Sequence, residues 1–165
     1  MSKENVVQDN ADEKVFYIAH QYIKDLSFEH NLTEKDLINP EDTDEPETGL
    51  SLAVEVQEVE KDIFAVDLNI TVETTKKEDK VYLLEISYRG LTMVKNFSDE
   101  EKQALLMVET PKLLFPFTRS IISSTIQEGG FPPFTIAPID FMALYIDNLE
   151  KSQENNDTTQ VASND

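Results

Sequence analysis

The first ordered-looking stretch of the chain runs on a two-residue beat. In VFYIAHQYIKDLSFE, residues 15–29, the even positions include Phe16, Ile18, Tyr22, Leu26 and Phe28, while Asp25, Ser27 and Glu29 take odd positions. That alternation predicts a long strand with one dry face. Lys24 falls on the apolar parity, which predicts a bulge or bend at that point. Three more alternating runs follow. Leu50, Leu52, Val54 and Val56 form the first, and Phe64, Val66, Leu68, Ile70 and Val72 the second. After a hairpin turn at TTKKEDK comes the third, with Tyr82, Leu84, Ile86 and Tyr88. Short connections predict antiparallel pairing. The four strands then make a sheet with one apolar face and one acidic, solvated face.

Between the first two strands, residues 34–48 carry seven acids, one Lys, Pro40 and Pro46, so a solvated loop is expected. After the fourth strand the period changes. Ser98 with Glu101 has the spacing of a capping box and predicts a helix from Asp99. The helical pattern runs to Gly129 and Gly130, which predict its C-cap. Pro111 and Pro116 must kink or divide it. Leu113, Leu114, Phe117, Ile121 and Ile122 give it a broad apolar face. A last helix is expected after Asp140, a good N-cap, with Phe141, Leu144, Tyr145 and Leu149 on it.

This order predicts an α+β fold: a four-stranded antiparallel sheet with one long Pro-kinked helix and a short C-terminal helix packed on one face. Residues 14–150 are expected to form a single domain. The polar, patternless ends, 1–13 and 151–165, are expected to be disordered tails.

The loop between the helices, GGFPPFTIAPIDF, residues 129–141, stands out. It holds two of the four Gly and three of the seven Pro of the chain, together with five large apolar residues. Surface loops are usually polar. Three readings stay open on physical grounds: a cap on the core, an oligomer contact, or the wall of a groove for apolar or extended peptide segments.

Charge narrows the partners. The 165 residues carry a formal net charge of −19. That repels nucleic acid and anionic lipid, and it favours both solubility and partners with positive charge. The absence of Cys excludes disulfides, thiolate catalysis and zinc-thiolate sites. No signal-peptide core and no membrane span is evident, so a cytoplasmic protein without direct membrane insertion is expected.

Chemistry is sparse. None of the common phosphate-binding, nucleophile-elbow or zinc-helix motifs occurs. His20 and His30 are the only imidazoles and lack a partner at metal-ligand spacing. Asp25 with Glu29, or Asp67 with Glu85, could converge as acid and base, but an open sheet face excludes no water and raises no pKa. The expectation is a non-enzyme with no cofactor and no metal. A non-catalytic peptide-binding adaptor and an acid/base enzyme on the acidic face are the alternatives.

The segment LLFPFTRSIISSTIQEGGFPPFTIAPIDFMALYIDNL, residues 113–149, resembles the SecB family of bacterial protein-export chaperones. The carrying residues are Phe115, Pro116, Phe117, Arg119, Ile121 and Ser123, then Gly130, Phe131 and Pro132, then Ile136, Pro138, Ile139, Asp140, Phe141, Leu144 and Tyr145. YIKDLSFE, residues 22–29, resembles the family's first-strand motif. The resemblance implies a homotetramer, a dimer of dimers, with the long helices between two outer sheets. It implies an ATP-independent holdase that binds unfolded precursor proteins, keeps them translocation-competent and delivers them to SecA for export. The implied groove lining is Phe131, Phe134, Ile136, Leu144 and Tyr145. Leu37 stands where many members carry a Trp, and this chain has no Trp at all, so one aromatic wall is smaller. The implied SecA-docking residues are Asp25 and Glu29 on the first strand with Leu83 and Glu85 on the fourth. All four have odd numbers and fall on the parity read above as acidic and solvated.

Overall fold

A computed structural model describes residues 12–35, 45–77 and 79–161, with side chains as far as Lys151. Four strands, β1 (Val15–His30), β2 (Glu47–Glu60), β3 (Ile63–Lys76) and β4 (Asp79–Lys95), pair antiparallel in the order β1-β4-β3-β2. The β2–β3 turn closes on Asp62, whose φ of 63° is left-handed. Helix α1 (Asp99–Ala104) runs into a π-helical turn (Leu105–Glu109) and then α2 (Thr110–Glu128). After the apolar loop comes α3 (Phe141–Val161). The architecture is the expected α+β one. Among the described residues no helix is long and apolar enough to cross a membrane.

The core lies between one face of the sheet and the helices. Leu68, Ile70 and Val72 of β3 and Leu84 and Ile86 of β4 pack against Leu114, Phe115, Ile122 and Ile126 of α2. Gly90 sets the approach of the helix. A Cβ there would lie 3.1 and 3.2 Å from the two terminal methyls of Leu114, so the leucine fills the place of a side chain. Even-numbered residues of β4 therefore face the helices and odd-numbered ones face out.

The helix caps follow local chemistry. Ser98 Oγ accepts from the Glu101 amide, and the Glu101 carboxylate accepts from the Ser98 amide, a complete capping box. At the other end the Phe131 amide donates to the Ile126 carbonyl and the Gly130 amide to Gln127. With Gly130 at φ 88°, this is a Schellman motif. Pro111 does interrupt the helix, by a device that periodicity does not show. It has no N–H to continue the ladder. The turn before it widens to π, and both the amide and the Oγ1 of Thr110 donate to the Leu105 carbonyl.

β1 departs from plain alternation. The strand carries two bulges, at Ala19 and at Lys24. Each adds a residue and flips the alternation. Between them Tyr22 lies opposite Arg89 and His20 opposite Leu91, both on the outer face, while Gln21 and Ile23 turn toward the helices. Plain alternation had put His20 and Tyr22 on the dry face. After Lys24 the phase returns, and Leu26 and Phe28 face Ile86 and Leu84.

Candidate functional site

The apolar loop is anchored at both ends. Asp140 Oδ1 accepts from the Ala143 amide and starts α3 as its N-cap. The Arg119 guanidinium donates to the Ile136 carbonyl at 3.5 Å and ties the middle of the loop to α2. Phe131 leads into a ring cluster, with its centroid 4.8 Å from Tyr82, 6.2 Å from Phe28 and 5.7 Å from His30. Offsets and tilts of this kind suit aromatic quadrupoles. Phe131 and Phe134 are half-buried and rest on the core. Ile136 is 3% exposed and belongs to the core itself. Tyr145 is half-buried, and Leu144 is exposed on α3. The loop thus both caps the core and presents a partly open aromatic edge. Leu37 lies outside the described residues.

Two further apolar strips, whose exposure alternation alone does not reveal, extend this surface. On β2 the helix-side residues Leu50 and Val56 are exposed, and Leu52 and Val54 are only half-buried. On α3, Met142, Ile146 and Leu149 are exposed alongside Leu144. A cavity of about 480 Å³ opens between the π turn and the start of α3, lined by Val108, Glu109, Lys112, Ile139, Phe141 and Met142 among others. An apolar strip on an edge strand, a stiff apolar loop and a helix with exposed apolar side chains together suit extended apolar chain better than a compact polar ligand.

The outer face of the sheet divides into two halves. Toward the C-terminal end of β1, Asp25, Ser27 and Glu29 face outward opposite Ser87, Glu85 and Leu83. Asp25 and Glu29 are therefore diagonal neighbours of Glu85, about 7–8 Å apart. Asp25, Glu29 and Glu85 are exposed and Leu83 is half-buried. Lys80 salt-bridges Glu73 at 2.8 Å, and that bond raises its pKa, with Glu29 and Glu85 adding attraction. The four residues implied as a docking set share one patch. The other half of the face is more apolar: it carries Tyr17, Ile63, Leu91 and Met93, with Glu60 at the β2 edge.

Between the halves sits Asp67, whose side chain is 5% exposed. Arg89 Nε and Nη2 donate to its two oxygens at 2.6 and 2.7 Å, and Lys24 Nζ donates at 2.7 Å. Burial alone would raise the pKa of Asp67. The hydrogen bonds and charges of Arg89 and Lys24 outweigh that and hold it below the usual carboxylate range. The Asp67 bond in turn raises Arg89. Asp67 does not converge with Glu85, because Glu85 pairs with Thr71, four residues along β3 and about 13 Å away. Nor do Asp25 and Glu29 converge, being four residues apart on one strand.

Apolar side chains are also open where β1 meets α2. Ile23 and Leu26, on the helix side of the edge strand, are 44% and 37% exposed, and Leu113 and Phe117 of α2 are 48% and 49% exposed.

The family profile for SecB, preprotein translocase subunit SecB, matches residues 9–152. A protein-export protein SecB from Bartonella quintana is 34% identical over 152 residues, covering 92% of this chain and 95% of that protein. Its counterpart from Parvibaculum lavamentivorans is 38% identical over 136 residues, covering 82% of this chain and 80% of the other. Among solved structures, the fold resembles a Mycobacterium tuberculosis SecB-like chaperone in complex with a ChAD peptide from an antitoxin. That match has a TM-score of 0.62 at 13% identity and covers 75% of this chain and 90% of the other. In sequence over most of its length, and in fold, the chain belongs to the SecB family of protein-export chaperones.

Proposed function

We propose that the protein is an ATP-independent holdase of the cytoplasm that binds unfolded precursors and passes them to SecA for export. The observation that carries this reading is the apolar surface of β2, the 131–139 loop and α3, which stays open although the core beside it is filled. The prolines stiffen the loop, so binding an extended segment costs little ordering on the chaperone's side. Clients are recognised by exposed apolar stretches rather than by a motif. Phe131, Phe134, Leu144 and Tyr145 serve as lining, with Ile136 supporting them from the core.

Delivery uses the acidic half of the sheet. Asp25, Glu29 and Glu85 around Leu83 offer charge with an apolar centre, a pattern that suits a basic patch on SecA. The open residues Ile23, Leu26, Leu113 and Phe117 serve as contacts between copies in a tetramer, a dimer of dimers. Several grooves on one particle then act multivalently on one client.

Gel filtration tests this reading. An unfolded precursor mixed with the protein, with no nucleotide present, is expected to co-elute with it as a complex. A precursor that elutes alone contradicts the reading. Light scattering on the free protein is expected to give the tetramer mass.

A further inference from the structure

The alternation of β1 is compatible with two registers on β4. In the smooth one, with no bulge, every even residue from Phe16 to Phe28 faces the helices. Counting on from Ile18↔Thr92, Lys24 would then lie opposite Ile86, Asp25 opposite Glu85 and Phe28 opposite Tyr82. In the observed one, the bulges at Ala19 and Lys24 insert two residues. Ser27 lies opposite Glu85, and Phe28 opposite Leu84. Both registers send Leu26 and Phe28 inward and Asp25 and Glu29 outward. They differ by a two-residue slide, about 7 Å along the strand.

In the middle of the strand burial decides weakly between the two, although the slide would also carry Phe28 about 7 Å from its seat against Gly129 and Phe131. Ile23 and Leu26 are 44% and 37% exposed on the helix side, so the strand's middle gains little from either arrangement. What differs in the middle is polar. The observed register turns Lys24 outward, two strands across to Asp67 at 2.7 Å, and sets Tyr22 beside Arg89. Arg89 already occupies both oxygens of Asp67. The smooth register would put Lys24 on the helix side opposite Ile86, leave Asp67 one cation short and set Asp25 directly against the like charge of Glu85.

We propose that Asp67 is a positioning residue: with Arg89 it captures Lys24 and so locks β1 in the bulged register. The lock places Asp25 and Glu29 on either side of Glu85 and spreads three carboxylates over a patch. Its role in docking rests on the SecA-facing reading above, whereas the lock itself can be tested without any partner.

The chain has no Cys, so engineered pairs report register directly. Residues directly opposite on neighbouring strands lie within disulfide range. Oxidation should close Ser27→Cys with Glu85→Cys, and not Asp25→Cys with Glu85→Cys. Adding Lys24→Met, which keeps a long side chain at an exposed position, is expected to shift the ratio of the two yields by about tenfold toward the second pair. Asp67→Asn is expected to do the same, with circular dichroism confirming that the sheet persists. An unchanged ratio in the Lys24→Met background overturns the lock. A second arm addresses docking on a background without the engineered Cys. Lys24→Met makes the face more negative, so charge alone predicts tighter binding of SecA, whereas a displaced patch predicts weaker binding. A shifted ratio with weaker binding supports the whole proposal. A shifted ratio with unchanged or tighter binding keeps the lock and removes its role in docking.

Discussion

The ring of Phe28 occupies the space that a side chain on Gly129 would need. A Cβ at Gly129 would lie 2.6 Å from Phe28 Cζ and closer still to Cε1. The contact joins the end of β1 to the end of α2 at the point where the apolar loop begins. Phe28 is held there by Tyr82 and Phe131, with ring centroids at 5.9 and 6.2 Å, so it cannot move aside freely.

Gly129→Ala is therefore expected to destabilise the protein by about 1–3 kcal/mol through overpacking. Gly130→Ala meets open space and costs only its left-handed φ, about 1–2 kcal/mol. Urea midpoints of the two variants check the ranking. A Gly129→Ala protein as stable as the parent would show that the ring cluster is loose.

Asp67 gives a pH signature. Its pKa in the folded protein lies below the ordinary 3.8. A group depressed in this way contributes stability that is complete above its unfolded pKa and is lost as pH falls through the folded one. The protein should lose stability from about pH 4 downward, and Asp67→Asn should flatten that part of the curve. At pH 7 the same variant should cost about 2 kcal/mol, less than a fully buried pair because the Lys24 side chain is 43% exposed. Equal acid limbs for parent and variant would contradict the triad's contribution.

Leu144 separates folding from binding. It is exposed on α3, so Leu144→Ser should change stability by no more than about 0.5 kcal/mol. Its affinity for an unfolded apolar client should fall by roughly fivefold, or about 1 kcal/mol. Phe131→Ala should lower both, because Phe131 is shared between the ring cluster and the open edge. Isothermal titration beside urea melts distinguishes the two patterns.

Salt divides the two surfaces. At 1 M salt the Debye length falls to about 3 Å, so binding of SecA to the Asp25, Glu29 and Glu85 patch should weaken far more than binding of apolar client segments. Equal sensitivity of both would contradict the division of labour.

Signals confined to a few residues were readable in the sequence. Ser98 with Glu101, Gly129 with Gly130, and Asp140 each mark a helix end by chemistry that needs no tertiary context. The faces of β3 and β4 followed from their alternation because a continuous core covers one side, and β2 kept the same alternation although its apolar side stays partly open. β1 was harder to read. Lys24 on the apolar parity did announce a bulge, but the compensating bulge at Ala19 left no mark, because Ala fits either face. Tyr22 and His20 were misplaced as a result. The lone Arg89 in a strand gave no hint that it would meet Asp67, a pairing made only by the β3–β4 register. Pro111 announced an interruption, yet nothing local distinguished a π turn from a kink. Ile136 carried the family's motif, and only the packing shows it within the core rather than on the open edge.

The central claim is that the open apolar surface holds unfolded chain without nucleotide. Refolding of a slow-folding precursor, followed by fluorescence after dilution from denaturant with no ATP present, measures this directly. The predicted result is a delay that grows with protein concentration and shrinks with Leu144→Ser. Refolding at the unassisted rate in a molar excess of the protein would contradict it.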